Sequence, residues 1–60
     1  MKTIFKCDNV KEDYIEVTKI PGQIKLEMLN GETENWIFLS EKNAKKLAKT
    51  INKMLGRNDN

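Results

Sequence analysis

Apolar and polar residues follow a helical pattern over residues 41–55. The apolar positions recur at the i, i+3, i+4, i+7 spacing of one helix face and are Ala44, Leu47, Ala48, Ile51, Met54 and Leu55. Ser40 precedes the run, where its hydroxyl can cap the first turn. Gly56 follows it, where a residue with positive φ commonly ends a helix. The pattern predicts one amphipathic helix over residues 41–55.

Four earlier segments alternate with a period of two residues, which is typical of strands: 2–7, 14–19, 23–29 and 34–39. Pro21 and Gly22 separate the second and third segments. They predict a type II turn, because proline presets φ at the first central position and glycine accepts positive φ at the second. Asn30 and Gly31 separate the third and fourth segments and predict a hairpin.

The register of this hairpin can be argued from charge. A two-residue loop would place Glu27 opposite Glu34, and like charges in directly paired positions repel. A four-residue loop over 30–33 instead pairs Leu26 with Ile37. It also gathers one apolar face for the helix to pack on, which consists of Ile24, Leu26, Met28, Ile37 and Leu39.

These elements predict an α+β fold, in which an antiparallel β-meander of three to four strands precedes one C-terminal amphipathic helix packed on one sheet face. Residues 1–60 are expected to form a single small domain, with 57–60 as a frayed tail. A chain this short buries only about 60% of its unfolded surface, so we expect it to be stabilised by oligomerisation.

The sheet face turned away from the helix is predicted to carry an apolar and aromatic patch. Its members are Tyr14, Leu29, Trp36 and Phe38, with Phe5 as a further candidate. Aromatic residues are typical of interface cores, which favours self-association through this patch. Two alternatives remain open. Bases of a nucleic acid could stack on the rings, or the N-terminal strand could cover them in a monomer.

Lysines occupy the side of the predicted helix opposite its apolar face. At about 100° per residue they form one basic ridge, which consists of Lys42, Lys45, Lys46, Lys49 and Lys53. Such a ridge can neutralise phosphates or dock on an acidic protein. The alternative is a solvated helix face, because lysine outnumbers arginine ten to one throughout the chain, as AT-rich genomes favour.

The residue types present exclude several kinds of chemistry. The chain has one cysteine, Cys7, and no histidine, so it provides neither a disulfide framework nor a zinc site, and a cytoplasmic setting is expected. No nucleophile–base pair and no glycine-rich phosphate loop is present, so we expect no enzyme activity, no cofactor and no metal. Ser40 is explained as a helix cap and Cys7 as a buried apolar residue. No apolar run approaches the ~20 residues that span a membrane.

The order of strands, with Leu39 and Ser40 leading into the helix, resembles the fold of the single-stranded-DNA-binding transcriptional coactivators. The resemblance covers residues 14–55 and lies in the layout of elements. It implies a curved four-stranded sheet with one helix, in a protein that dimerises. The basic and aromatic strand residues of those proteins are largely acidic or aliphatic here.

Taken together, the sequence predicts a small non-enzymatic protein-binding module that forms a homodimer. Its expected role is to bind and to regulate or inhibit a larger protein, as an accessory protein of a bacterium, a phage or a mobile element. The alternative function is binding of single-stranded DNA or RNA, or of duplex DNA, through the basic ridge and the sheet aromatics.

Overall fold

The structure, a computed structural model, describes residues 1–57. It contains β1 (Lys2–Lys6), β2 (Tyr14–Ile20), β3 (Gln23–Asn30), β4 (Thr33–Ser40) and α1 (Glu41–Met54). The strands form one antiparallel sheet in chain order. The predicted α+β meander with a C-terminal helix is confirmed, and each predicted boundary lies within one residue of the observed one. The frayed tail predicted over 57–60 lies outside the described residues, apart from Arg57.

The β3–β4 hairpin has the register expected from charge, with Leu26 opposite Ile37. Its loop is shorter than expected, because Asn30 and Thr33 also pair. Gly31 therefore occupies the first central position of a two-residue turn, with φ 65°. Positive φ at that position is the requirement of a type II′ turn, which glycine meets without steric cost.

Both ends of α1 are capped within the chain. The hydroxyl of Ser40 accepts a hydrogen bond from the amide of Asn43 at 3.1 Å, as expected for an N-cap. At the other end Gly56 has φ 76°, and its amide donates to the carbonyl of Lys53 at 3.0 Å. The helix is thus fixed in length by local hydrogen bonds.

Strand pairing divides the sheet into two faces, because directly paired residues of antiparallel strands lie on the same side. The apolar face carries Thr3, Phe5, Ile15, Val17, Lys19, Ile24, Leu26, Met28, Asn35, Ile37 and Leu39. The mixed face carries Lys2, Ile4, Lys6, Tyr14, Glu16, Thr18, Ile20, Gln23, Lys25, Glu27, Leu29, Glu34, Trp36, Phe38 and Ser40. Phe5 was a candidate for the patch around Trp36, but it pairs with Ile15 and lies on the apolar face.

The most protected apolar side chains lie on the two central strands, since each of these strands has a neighbour on both sides. Those residues are half-buried and include Ile15, Val17, Ile24, Leu26 and Leu29. Across residues 1–57, however, no side chain is fully buried. The sheet and the helix therefore do not enclose a hydrophobic core between them.

Candidate interaction surfaces

The folded chain exposes more surface than a compact protein of its size. Its solvent-accessible surface is 5341 Å², whereas a compact monomer of 7.0 kDa exposes about 4,000 Å². Its radius of gyration is 12.8 Å, against about 10 Å for a compact chain of this length. About 1,300 Å² of each chain is therefore available for burial against another surface.

Much of this surplus lies on the apolar face. Phe5, Met28 and Ile37 are exposed there, and Ile37 retains 56% of its accessible surface. A shallow groove of about 150 Å³ lies beside Leu26 and Ile37. A second, of about 400 Å³, lies beside Phe5 and Ile15 and is also lined by Cys7 and Asp13 of the β1–β2 connection and by Lys6 and Tyr14 of the mixed face. Burial of these apolar side chains against another surface would be favourable. This face therefore resembles one side of a hydrophobic core whose other side is missing.

Ile4, Trp36 and Phe38 are exposed on the mixed face, and further apolar side chains are exposed on one side of α1. We call this surface the helix stripe, and it consists of Ala44, Leu47, Ala48, Ile51, Met54 and Leu55. From Ala44 to Met54 the exposed fraction of its side chains rises, and Leu55 after them is 64% exposed. Ala44 is half-buried, whereas Leu47 is 41% exposed, Ile51 49% and Met54 80%. The helix thus meets the sheet near its first turns and presents the rest of its stripe outward.

The junction between β4 and α1 gives a physical reason for this direction. Ser40 is both the last residue of β4 and the N-cap of α1, with φ −62° and ψ 162°. A helix that folds back over the preceding strand normally follows a connection of two or more residues. Within the described chain, β3 and β4 are the only strands that the backbone of α1 approaches closely. An ion pair of 3.0 Å between Lys19 Nζ and Glu41 Oε2 adds one side-chain link to β2 at the helix start.

The four residues predicted to form an interface share the mixed face. Tyr14 and Leu29 are directly paired and half-buried. Trp36 and Phe38 lie on the edge strand β4 and are exposed, Trp36 by 59%. The register therefore brings the predicted residues to one side of the sheet. Their role in an interface stays a prediction.

Charged side chains surround these aromatics. Glu16 and Glu27 are directly opposite each other, which is a repulsive arrangement. Two lysines offset it, since Lys2 Nζ lies 4.0 Å from Glu16 Oε1 and Lys25 Nζ lies 3.7 Å from Glu27 Oε1. The charged side chains of this face are Lys2, Lys6, Lys25, Glu16, Glu27 and Glu34. Their formal charges cancel, so the face that carries Trp36 is polar but has no net charge.

The predicted basic ridge is present on α1, and all five lysines are exposed. In the part of the chain that the structure describes, none of them has a carboxylate within ion-pair distance. A shallow depression of about 570 Å³ runs beside Lys42, Lys45, Lys46 and Lys49. The nearest acid in sequence, Glu41, is engaged by Lys19. The hydrogen bond and the positive charge of Lys19 lower the pKa of Glu41, and Lys45 adds a smaller effect.

The side chain of Cys7 forms hydrogen bonds with the backbone of the loop that follows it. The sequence predicted a buried residue here, but Cys7 is only half-buried. Its sulfur accepts hydrogen bonds from the backbone N–H groups of Asn9 at 3.4 Å and Val10 at 3.3 Å. The carboxylate of Asp13 accepts a hydrogen bond from the backbone amide of Gly31 at 2.9 Å. This bond links the connection between β1 and β2, which contains Cys7, to the β3–β4 turn. Among residues 1–57 no three His, Cys, Asp or Glu side chains are close enough to hold a metal ion.

Sequence reasoning missed the exposure of the apolar face and of the helix stripe. The stripe and the strand faces are identified correctly from periodicity, but periodicity does not say whether two apolar surfaces of one chain meet. One signal was available in the sequence. Leu39, the last residue of the strand predicted from sequence, is followed at once by the predicted cap Ser40, which leaves no loop in which the chain could turn back.

A scan of protein-family models, a search of curated proteins and a search of solved structures each found no match to this chain. Over residues 1–57, α1 is too short and too polar to cross a lipid bilayer.

Proposed function

We propose that this chain is a small non-enzymatic protein-binding module that acts as a homodimer and regulates or inhibits a larger protein. A cytoplasmic setting fits the single cysteine and the absence of histidine. An accessory role in a bacterium, a phage or a mobile element fits the lysine-rich composition.

The observation that carries this proposal is the missing core. No residue among the 57 described is buried, although the chain has well-formed strands and a capped helix. A domain without a core cannot offset the conformational entropy lost on folding. A second copy of the chain is the simplest source of the missing apolar contacts, because it is always present and offers the same surplus of about 1,300 Å². Stable interfaces of standard size bury about 800 Å² per partner.

A dimer built from the apolar surfaces leaves two others for a larger partner. One is the mixed face, where exposed Trp36 and Phe38 are surrounded by charged residues. Aromatic anchors inside a polar rim are typical of non-obligate protein interfaces. The other is the basic ridge, which would favour an acidic protein surface.

The alternative is nucleic-acid binding. It is favoured by the lysines of the ridge, which have no carboxylate within ion-pair distance among residues 1–57. The charges of the mixed face oppose it. A stacking platform for single strands combines aromatic rings with excess positive charge. Here Glu27 is directly opposite Trp36, and Glu16 is the next residue across the sheet; these carboxylates cancel the charge of the neighbouring lysines. Phosphates would gain little at that face, so the ridge would have to bind without stacking.

The first experiment measures mass in solution. Sedimentation equilibrium over a wide range of protein concentration should give twice the chain mass of 7.0 kDa, with dissociation and unfolding occurring together on dilution. A monomer that stays folded and unfolds cooperatively at every concentration would contradict the proposal.

The second experiment separates the two functions. Trp36, the single tryptophan, reports directly on the mixed face. The chain is titrated with a dye-labelled mixed-sequence oligonucleotide, single-stranded or duplex, at low and moderate salt. The anisotropy of the dye reports binding at any surface, including the ridge, and Trp36 fluorescence reports stacking on the mixed face. The protein-binding function predicts no change in Trp36 fluorescence and no saturable binding. A saturable response that weakens steeply with salt would support nucleic-acid binding instead.

The ridge is tested by reversing three of its charges. The triple variant Lys45→Glu, Lys46→Glu and Lys49→Glu should keep its circular dichroism and its dimer mass, because these side chains are exposed. It should lose binding to any protein or oligonucleotide ligand that the ridge contacts. Unchanged binding of a ligand by the folded variant would remove the ridge from the proposal.

A further inference from the structure

We propose that, in the homodimer, the helix stripe of each copy lies across the apolar face of the other copy's sheet, so that two helices are exchanged reciprocally. This inference rests on the proposed homodimer and specifies its interface. The apolar face is the binding site, and its occupant is α1 of a second copy.

The direction of α1 makes the exchange favourable. The helix starts at Ser40 without a loop, and its apolar side chains become more exposed from Leu47 to Met54. Its own sheet therefore covers only the beginning of the stripe. Meanwhile Phe5, Met28 and Ile37 remain open on the apolar face. Each chain thus exposes an apolar helix surface and an apolar sheet surface. A second copy can cover both, because it carries the same two surfaces.

The dimensions of the two surfaces agree. From Ala44 to Leu55 the stripe is about 16 Å long at 1.5 Å per residue. The apolar face is about 14 Å wide from β1 to β4 at about 4.8 Å per strand. One helix can therefore contact side chains of all four strands, from Phe5 on β1 to Ile37 on β4. The groove beside Leu26 and Ile37 provides a depression in which side chains of the stripe would pack.

Other dimers leave more of the apolar surface in water. Packing of two mixed faces would bring Glu16 and Glu27 of one copy close to charged residues of the other, and would leave the apolar face and the stripe exposed. Packing of two helices alone would cover Leu47 and Ile51 but not Phe5 or Ile37. The reciprocal exchange covers both surfaces at once. The surplus of about 1,300 Å² per chain is large enough for such a dimer, because a standard interface buries about 800 Å² per partner.

Isotope-filtered nuclear Overhauser measurements test the exchange in the unmodified chain. Copies labelled with carbon-13 are mixed with unlabelled copies, so that only contacts between copies give a signal. The expected contacts join the methyl groups of Leu47 and Ile51 to the ring of Phe5 and the methyl groups of Ile37. Contacts of Trp36 across copies, or the same helix–sheet contacts within one copy only, would overturn the inference while the homodimer stands. A monomer would overturn the proposed function itself.

Complementary charges provide a second test that remains informative even when single variants do not fold. Leu47→Glu places a carboxylate in the stripe, and Ile37→Lys places an ammonium group on the apolar face. Each variant alone should weaken dimerisation by about 100-fold or more, because an unpaired charge would be buried twice. Mixed in equal amounts they should form a heterodimer, in which one interface is unmodified and the other pairs Glu with Lys.

The matched control places the new charge on the other face of the sheet. Phe38→Lys carries the same new charge on the same strand, but on the mixed face. Phe38→Lys should dimerise with itself and should not rescue Leu47→Glu. Rescue by Phe38→Lys, or no rescue by Ile37→Lys, would contradict the exchange.

Discussion

Replacement of Ile51 by alanine distinguishes a helix stripe that is covered from one that faces water, because the two cases predict opposite signs. Ile51 lies in the middle of the stripe and is 49% exposed in the single chain. If it stays exposed, alanine stabilises the fold by a few tenths of a kcal/mol, since it is the better helix former. If a second copy covers it, the truncation removes apolar contact and destabilises the dimer.

The magnitude follows from the exposed fraction. Full burial of an isoleucine side chain contributes about 1.5–3 kcal/mol, and roughly half of Ile51 remains to be covered on association. Truncation should therefore cost about 1 kcal/mol of transfer free energy per helix, and up to about 1 kcal/mol more for the cavity. A two-fold dimer contains the site twice, so its dissociation free energy should fall by about 2–4 kcal/mol. This corresponds to dimerisation weaker by about 30-fold to 700-fold.

Sedimentation equilibrium gives the dimer dissociation constant, and urea unfolding followed by circular dichroism at several protein concentrations gives the stability. Lys49→Ala is the matched control, because it makes the same helix more alanine-rich on the opposite side, and it should leave dimerisation unchanged. The reasoning is refuted if Ile51→Ala dimerises as tightly as the original chain, or if it unfolds at higher urea.

Two further predictions concern the start of α1. Ser40→Ala removes the acceptor for the amide of Asn43 and should lower the free energy of unfolding by about 1 kcal/mol. Ser40→Asp should restore it, and equal stability of all three chains would show that the cap contributes nothing. The pair between Lys19 and Glu41 should act through pH. Because the folded-state pKa of Glu41 is lowered, its contribution is present above the ordinary carboxyl pKa and is lost as the pH falls through the lowered value. In Lys19→Met the pKa of Glu41, measured by carboxyl-carbon NMR titration, should rise. An unchanged titration would contradict the pairing.

Interactions between near neighbours explain why so much of the secondary structure could be predicted. Alternating residues identify each strand, because successive side chains point to opposite faces. Repulsion between Glu27 and Glu34 predicts the hairpin register, and a glycine at position 31 permits the turn. Ser40 and Gly56 delimit the helix through hydrogen bonds to residues three positions away. Each of these rules involves groups that are close in the chain or directly paired, so the pattern of residue types is sufficient.

The relation between the helix and the sheet could not be predicted in this way. Periodicity places Leu47 and Ile51 on one side of α1 and Ile37 on one side of β4, but it carries no information on whether those sides meet. That depends on the direction in which the chain leaves Ser40, and the absence of a loop there turns most of the helix stripe away from its own sheet. The interface predicted on the mixed face stays a prediction, and the exposure of the apolar face and the helix stripe adds two further candidate surfaces. Burial is a property of two surfaces in space, and the spacing of residues along one segment describes only one of them.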